Sequence, residues 1–483
     1  MEQDYKQLFV GGDLSGIQNF LYNISSKKAA VSLIGRSEYL SRYMKDVCSK
    51  VEEAALLAGS QKPDVIYKSG GKFYMIVSNT PAVRQAIEGC AESVKQALWQ
   101  KHQGELGIGI AYVAFTEHAD GLVDTEGLTR QEPGLLWQTV NADFYRQKHQ
   151  KFADMLQADY DHYFEPIPIG GQAKVCAVTG IESTDCIAFE DMYVLPSVDE
   201  QMQLGMELRK KQGFKDFKDY ANGTYLGILR MDVDGLGQRF IKGFKSIGEY
   251  KSFSEKLEQF FVVETKNVQR TSEFSDYLNI IYAGGDDLFV VGRWDKVIDF
   301  AERIHIEVDA RFGQDGITIS GGVAIVAEKF PIAKSAELAG KAEDAAKAYD
   351  DGKGQKKNAF CFLGKTVSWK EFPKVKRYQE QFVSLIGGNN LSKGILHKIM
   401  LYASIADQNK VRRREGKAED FSYVWHLSYY LTRYMTRYKD NDAVCNFCRR
   451  LRDKELNYKD GRKLELIALA ARWAELKMKD KEV

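Results

Sequence analysis

The stretch IIYAGGDDLFVVG, residues 280–292, sets two glycines and two adjacent aspartates inside an apolar run. A strand–turn–strand hairpin needs the glycines. It gains nothing from Asp286 and Asp287, whose neighbouring carboxylates repel. A second acidic pair, Asp232 and Asp234, ends the apolar run YLGILRMDV and precedes Gly235 and Gly237. Four carboxylates brought together need cations, and hard oxygen ligands suit Mg2+ or Mn2+. Two such ions activate an attacking hydroxyl and stabilise a phosphate leaving group. Gly284 and Gly285 let backbone approach a triphosphate, and Gly235, at a strand-to-helix turn, does the same. Downstream, AEDAAKAYDDGKGQKKNAF supplies Lys347, Lys353, Lys356 and Lys357 as point charges for phosphates. The plainer readings are a solvated hairpin for GGDD and an exposed loop for any one lysine; the Asp-x-Asp-Gly on a neighbouring strand weighs against the first.

These acids meet only if strand 225–233 lies beside the hairpin. The pattern supplies that: a strand, a helix near 250–269, the hairpin, a periodic helix in KVIDFAERIHIEVDARF, and a strand in ITISGGVAIVA. This β-α-β-β-α-β order predicts a ferredoxin-like antiparallel sheet with helices on one face. The module is written twice. LFVGGDLSGIQNFLY resembles GILRMDVDGLGQRFI, VIYKSGGKFYMIV resembles the opening hairpin, and GIAYVAF resembles GVAIVAE, at offsets of 219, 214 and 213 residues. The first copy keeps Asp13, Gly16, Gly70 and Gly71 but carries Ser15, Lys72 and Phe73 where the second has acids. One carboxylate cannot hold two metal ions. The first copy is therefore read as either a scaffold or a second nucleotide-binding face.

Bulk composition narrows the setting. The 483-residue chain is 44% hydrophobic and 28% charged, a globular composition with length for about two to four domains. No apolar run approaches the roughly 20 residues of a membrane span, and the first residues lack the pattern of a signal peptide. Seven cysteines, an odd and sparse set, suggest reduced thiols and a cytoplasmic setting. The net charge is +1, yet residues 366–483 carry 25 Lys and Arg against 15 Asp and Glu. That basic end fits either a polyanion-facing surface or a solvated helical one. It reads as helices, with QNKVRRREGKAED as a charged loop between the first two.

Taken together, GDLSGIQNFLYNISSKKAAVSLIGRSEYL, SGGKFY, MDVDGLG, YAGGDDLFVVG and the lysine-rich tail resemble the large subunit of type III-A CRISPR effector complexes, a polymerase related to GGDEF-type cyclases. The resemblance covers essentially the whole chain. It implies an α+β fold: a first palm domain over 1–150, a linker domain over 151–222, a second palm over 223–368 and a helical domain over 369–483. It implies synthesis of cyclic oligoadenylates from ATP with Mg2+ or Mn2+, triggered by target RNA, in company with guide RNA and the other subunits of the complex. Asp232 and Asp286 resemble the main metal ligands, with Asp287 and Asp234 supporting them. Asp13, Ser15 and the Ser69-Gly70-Gly71 turn resemble a second ATP position.

Two departures from that family stand out. Many members begin with an HD nuclease domain, whereas here the first palm starts within ten residues of Met1 and no His-Asp dipeptide occurs, so no DNase activity is expected from this chain. Many carry a linker zinc site, whereas here VCAVTGIESTDC has Cys176 and Cys186 with Thr179 where a cysteine belongs, so zinc is not expected. Cys445 and Cys448 read as half-buried cysteines rather than a metal pair. Two other functions remain open at this stage: a non-catalytic scaffold for guide and target RNA, and a free-standing GGDEF-like cyclic dinucleotide synthase that needs no RNA.

Overall fold

The computed structural model describes residues 5–24, 28–102, 104–158, 197–221, 225–388, 391–456 and 461–479. The expected zinc-less stretch around Cys176 and Cys186 lies outside them. Two six-stranded sheets organise the chain. The first contains β1 (Gln7–Ser15), β2 (Asp64–Ser69), β3 (Lys72–Ser78), β4 (Gly107–Glu117), β5 (Val123–Thr125) and β6 (Leu128–Gln131), in the order β2-β3-β1-β4-β5-β6. The second contains β7 (Tyr225–Val233), β8 (Leu278–Gly284), β9 (Asp287–Arg293), β10 (Ile319–Ala327), β11 (Ala359–Phe362) and β12 (Lys365–Ser368), in the order β12-β11-β10-β7-β9-β8. The four core strands of each sheet are antiparallel with the same permuted order, as the repeat predicts. Even the β-bulge recurs, between Val65 and Tyr67 in one copy and between Ile280 and Tyr282 in the other.

Three expectations need correction. First, both faces of each sheet are covered. In β1, Leu8 and Val10 face the helices Ala29–Leu57 and Pro81–His102, while Phe9 faces Trp137 and Phe144 of the helix Gly134–His149. In the second copy, Leu229 and Met231 join the core with Trp294–Phe312, while Leu226 and Ile228 join the one that includes Ile332, Ala336 and Ala339 of the helix Ile332–Lys347. A sheet apolar on both sides has to be sandwiched. Second, AEDAAK is the end of that helix, not loop, and the neighbouring β11 pairs parallel to β10. Third, QNKVRRR continues the helix Gly394–Arg414, so the charged loop is shorter than expected. The predicted helix near 250–269 runs from Ile247 to Gln269 through one π turn at Gln259–Glu264.

The two copies exchange helices. Ala29–Leu57 packs near β8 and Ile247–Glu258 packs near β2, where Lys251 pairs with Asp64 at 2.5 Å. Trp137 stacks on Tyr250 across this contact, with ring centroids 3.7 Å apart. The C-terminal helices close over the outer strands of the second sheet, where Trp473 meets Phe362 and Phe372 and Arg462 pairs with Glu371 at 2.7 Å. Cys445 and Cys448 are buried free thiols of the helix Asp442–Arg450. No helix among the described residues is long and apolar enough to cross a membrane.

Candidate active site

In β7 and β9 the strand register sets Asp232 directly opposite Asp287. Gly284 pairs with Asp287, so the β8–β9 turn has two residues, Gly285 and Asp286. Gly285 has φ +68° while Asp286 does not enter the left-handed region. That is the requirement of a type II′ hairpin, which needs glycine only at its first turn position. The second position is thereby open to an aspartate.

Carboxylate oxygens of Asp232, Asp287 and Glu343 all lie within 4.8 Å of one another. Asp286 joins them in a cleft also lined by Arg230, Asp344, Lys347 and Gln18. Burial, then the neighbouring Asp232, pushes the Asp286 carboxyl up to about 7, with Lys72 of the first copy opposing. Asp287 is raised as well, by burial first and then by Asp286 and Asp232. Lys347 bonds Asp232 and lies 2.9 Å from Glu343, while Arg230 reaches Glu343 at 3.1 Å. The donors are all carboxylates, which fits a hard divalent cation.

The other predicted residues fall in several places. Asp234 is not brought into the cluster. Its Oδ2 accepts hydrogen bonds from Thr318 Oγ1 (2.8 Å), Ser320 Oγ (3.0 Å) and the Asn358 amide (3.0 Å), tying β7 to β10 and β11. Of the lysines, Lys347 enters the site, whereas neither Lys353 nor Lys357 lines the cleft. Gly235 has φ +71° and starts the short helix Leu236–Lys242, as Gly16 (φ +89°) starts Ile17–Tyr22 in the first copy. Gly284 sits at the end of β8, but Gly285 is used in packing: a Cβ there would lie 2.9 Å from Tyr67 Oη and 3.1 Å from Gly70 Cα. The two hairpin tips touch, and the Gly285 amide donates to Ser69 Oγ at 2.7 Å.

The first copy's counterpart site is filled by its own cations. Asp13 is 4% exposed, faces Lys72 in the register, and pairs with Lys72 (3.6 Å) and Lys148 (2.6 Å). Ser15 donates to the Gly107 carbonyl at 3.0 Å. The register also corrects the alignment of the repeat. Ser69 pairs with Lys72 around the turn Gly70-Gly71, both glycines having positive φ. Lys72 therefore occupies the place of Asp287, and Gly71 that of Asp286, one residue off the sequence pairing. Sequence reasoning missed Glu343, Arg230 and Gln18. Glu343 carried one readable signal, its i, i+4 spacing from Lys347.

Residues 6–166 match the model of the Csm1 subunit domain B, and residues 225–361 that of the Cas10/Cmr2 second palm domain. A CRISPR system single-strand-specific deoxyribonuclease Cas10/Csm1 (subtype III-A) of Enterococcus italicus is 27% identical over 406 residues, covering 69% of this chain and 51% of that protein. The protein of the same description from Streptococcus thermophilus is 24% identical over 504 residues, covering 88% and 62%. The chain thus spans between half and two thirds of the length of these relatives. Among solved structures, a Csm1–Csm4 cassette in complex with pppApApA aligns at TM-score 0.68 and 17% identity, covering 99% of this chain and 71% of that one. A Csm1–Csm4 cassette in complex with cA4 aligns at 0.61 and 19%, covering 98% and 70%. Fold and site define an α+β protein with a pair of palm domains. The chain belongs to the Cas10/Csm1 family, the large subunits of type III-A CRISPR effector complexes.

Proposed function

We propose that this chain synthesises cyclic oligoadenylates from ATP when target RNA engages a cytoplasmic type III-A complex containing it, guide RNA and further subunits such as a Csm4. The observation that carries this reading is the contrast between two superposable strand pairs: Asp232 opposite Asp287 in the second palm, Asp13 opposite Lys72 in the first. The fold does not require the acids, so they are retained for chemistry. Relatives solved with AMPPNP, ATP, pppApApA, cA3 and cA4 support the substrate and product class.

Asp232, Asp286 and Asp287 would hold Mg2+ or Mn2+. When bound, such ions lower the pKa of the attacking 3′-hydroxyl and neutralise charge on the leaving phosphate. The protein's own residues do the rest. Half-burial raises the carboxyls of Asp286 and Asp287, and the strand register fixes Asp232 against Asp287. Lys347, at the end of its helix, is placed to meet phosphate oxygens as a point charge. Gln18 brings the first palm to the rim of the cleft. The first palm, with Lys72 and Lys148 around Asp13, offers cations for a second nucleotide.

The test is product mass spectrometry on the assembled complex with guide RNA, ATP and Mg2+, with and without target RNA. The wild type is expected to give cyclic product only with target RNA, and the Asp286→Ala/Asp287→Ala protein none. Equal product from both proteins overturns the role of these acids, no product from either leaves the scaffold reading, and product from the wild type without RNA leaves the free-standing synthase.

A further inference from the structure

Glu343 has no place in a hairpin-centred account of the site, yet it is among the most buried acids of the chain, at 5% exposure. A buried carboxylate is costly unless paired. Glu343 is paired twice, by Arg230 on Oε2 and by Lys347 on Oε1. The same Lys347 ammonium also binds Asp232. It therefore sits between two of the three carboxylates whose oxygens cluster, where a metal ion with those ligands would be.

The chain puts effort into bringing Glu343 there. Gly322 of β10 lets the helix Ile332–Lys347 lie against the sheet: a Cβ at Gly322 would be 2.2 Å from the Glu343 amide nitrogen and 2.3 Å from the Ala342 carbonyl carbon. Gly340 similarly leaves room for Arg230, whose Nη1 would be 2.9 Å from a Cβ.

The first palm serves as an internal control. Its helix Gly134–His149 packs on β4 and β1 as Ile332–Lys347 packs on β10 and β7. Lys148 holds Asp13 as Lys347 holds Asp232. Four residues before Lys148 stands Phe144, 1% exposed, where the second palm has Glu343. Helix and lysine thus persist without the glutamate, so packing does not demand it. The glutamate is present only in the copy that has the other acids.

We infer that Glu343 is a further metal-ligating carboxylate, beside Asp232 and Asp287, and that Lys347 holds the cation's place between Glu343 and Asp232 until the cation arrives. Displaced, the ammonium remains within a side chain's reach of the same cleft and is released toward phosphate. This inference rests on the proposed nucleotidyl transfer and deepens its metal site.

The test measures Mn2+ binding to the purified chain by electron paramagnetic resonance, with thermal unfolding alongside. Losing a ligand or its support typically costs metal affinity 10–100-fold, and Glu343→Gln is expected to weaken Mn2+ binding by roughly ten-fold or more. Lys347→Met is expected to do the reverse: tighter Mn2+ binding, a lower melting temperature without metal, and recovery when Mn2+ is added. Unchanged affinity in Glu343→Gln overturns the ligand role, and unchanged or weaker affinity in Lys347→Met overturns the place-holder. Glu343→Asp, which keeps the charge, guards against misfolding and should fall between wild type and Glu343→Gln. If instead the wild type binds no Mn2+ and Asp286→Ala/Asp287→Ala changes nothing, the metal-dependent reading fails as a whole. If those acids matter and Glu343 does not, only the present inference fails.

Discussion

At the scale of single residues, one position in the strand ladder separates the two palms. Asp287 faces Asp232, while Lys72 faces Asp13. The first palm shows that a lysine fits there and pairs with the opposing acid. Asp287→Lys is therefore expected to abolish cyclic product while raising the melting temperature of the metal-free protein, because it replaces a like-charge pair with an attractive one. A lowered melting temperature would show that the two hairpins are not equivalent. Asp234 makes the opposite case. It looks like a member of the acidic set, but its Oδ2 accepts three hydrogen bonds, from Ser320 of β10 and from Thr318 and Asn358 just before β10 and β11. Asp234→Ala leaves those donors unpaired, each at about 1–3 kcal/mol when buried. It is expected to lower stability in urea unfolding, and Mn2+ titration should show smaller losses than for Asp287→Ala.

At the scale of elements, the helix Ile332–Lys347 depends on the missing side chain of Gly322. Gly322→Val forces a side chain against the backbone of that helix at Ala342 and Glu343. Overpacking of this kind costs about 1–3 kcal/mol, and the variant should lose both stability in urea and affinity for Mn2+, since Glu343 and Lys347 ride on the displaced helix. The helices Ala29–Leu57 and Pro81–His102 are joined by Tyr39 Oη and His102 Nε2 at 2.8 Å. Burial first, then the charges of Lys101 and Arg36, lowers the His102 pKa from 6.5 to about 3. The folded protein thus keeps this imidazole neutral while the unfolded chain protonates it below 6.5, so the unfolded state binds more protons. Stability from this group is complete above pH 6.5 and declines as pH falls toward 3. His102→Gln should flatten that part of a melting-temperature profile against pH.

This scale also shows what the sequence reveals and what it hides. The core strands, their order and the long helices were legible because period-2 and period-3.6 patterns mark them, and the repeat gave each pattern twice. Asp232, Asp286 and Asp287 were legible because an acid inside an apolar run has no packing reason. The second covering helix was not, because AEDAAK beside DDGKGQKK reads as polar loop and its buried face is built of alanines. Glu343 was hidden for the same reason: on an alanine-rich helix an acid four residues from a lysine looks like a surface pair. The hairpin alignment went one residue astray because two glycines look alike in sequence while only the ladder tells turn from strand end.

At the scale of the whole molecule, the palms meet through their hairpin tips and their exchanged helices. Ser69→Ala removes the hydrogen bond to the Gly285 amide, at about 1 kcal/mol net. Because it leaves the acids in place, Mn2+ affinity should hold while the yield of cyclic product falls. An unchanged yield would mean that the tip contact is not needed to join two nucleotides.

The tip contact has a mechanical consequence. A Cβ on either Gly70 or Gly285 would lie 3.1 Å from the other's Cα, and both glycines hold backbone conformations that side chains rarely tolerate. Nothing at this point can be compressed or interdigitated. The two domains thus share a fulcrum: a signal arriving from a distant subunit can tilt one palm against the other, but the lever turns about a fixed point beside the acids. Spin labels near residues 70 and 285 should keep their separation on activation, while labels on the outer strands β6 and β12 change theirs.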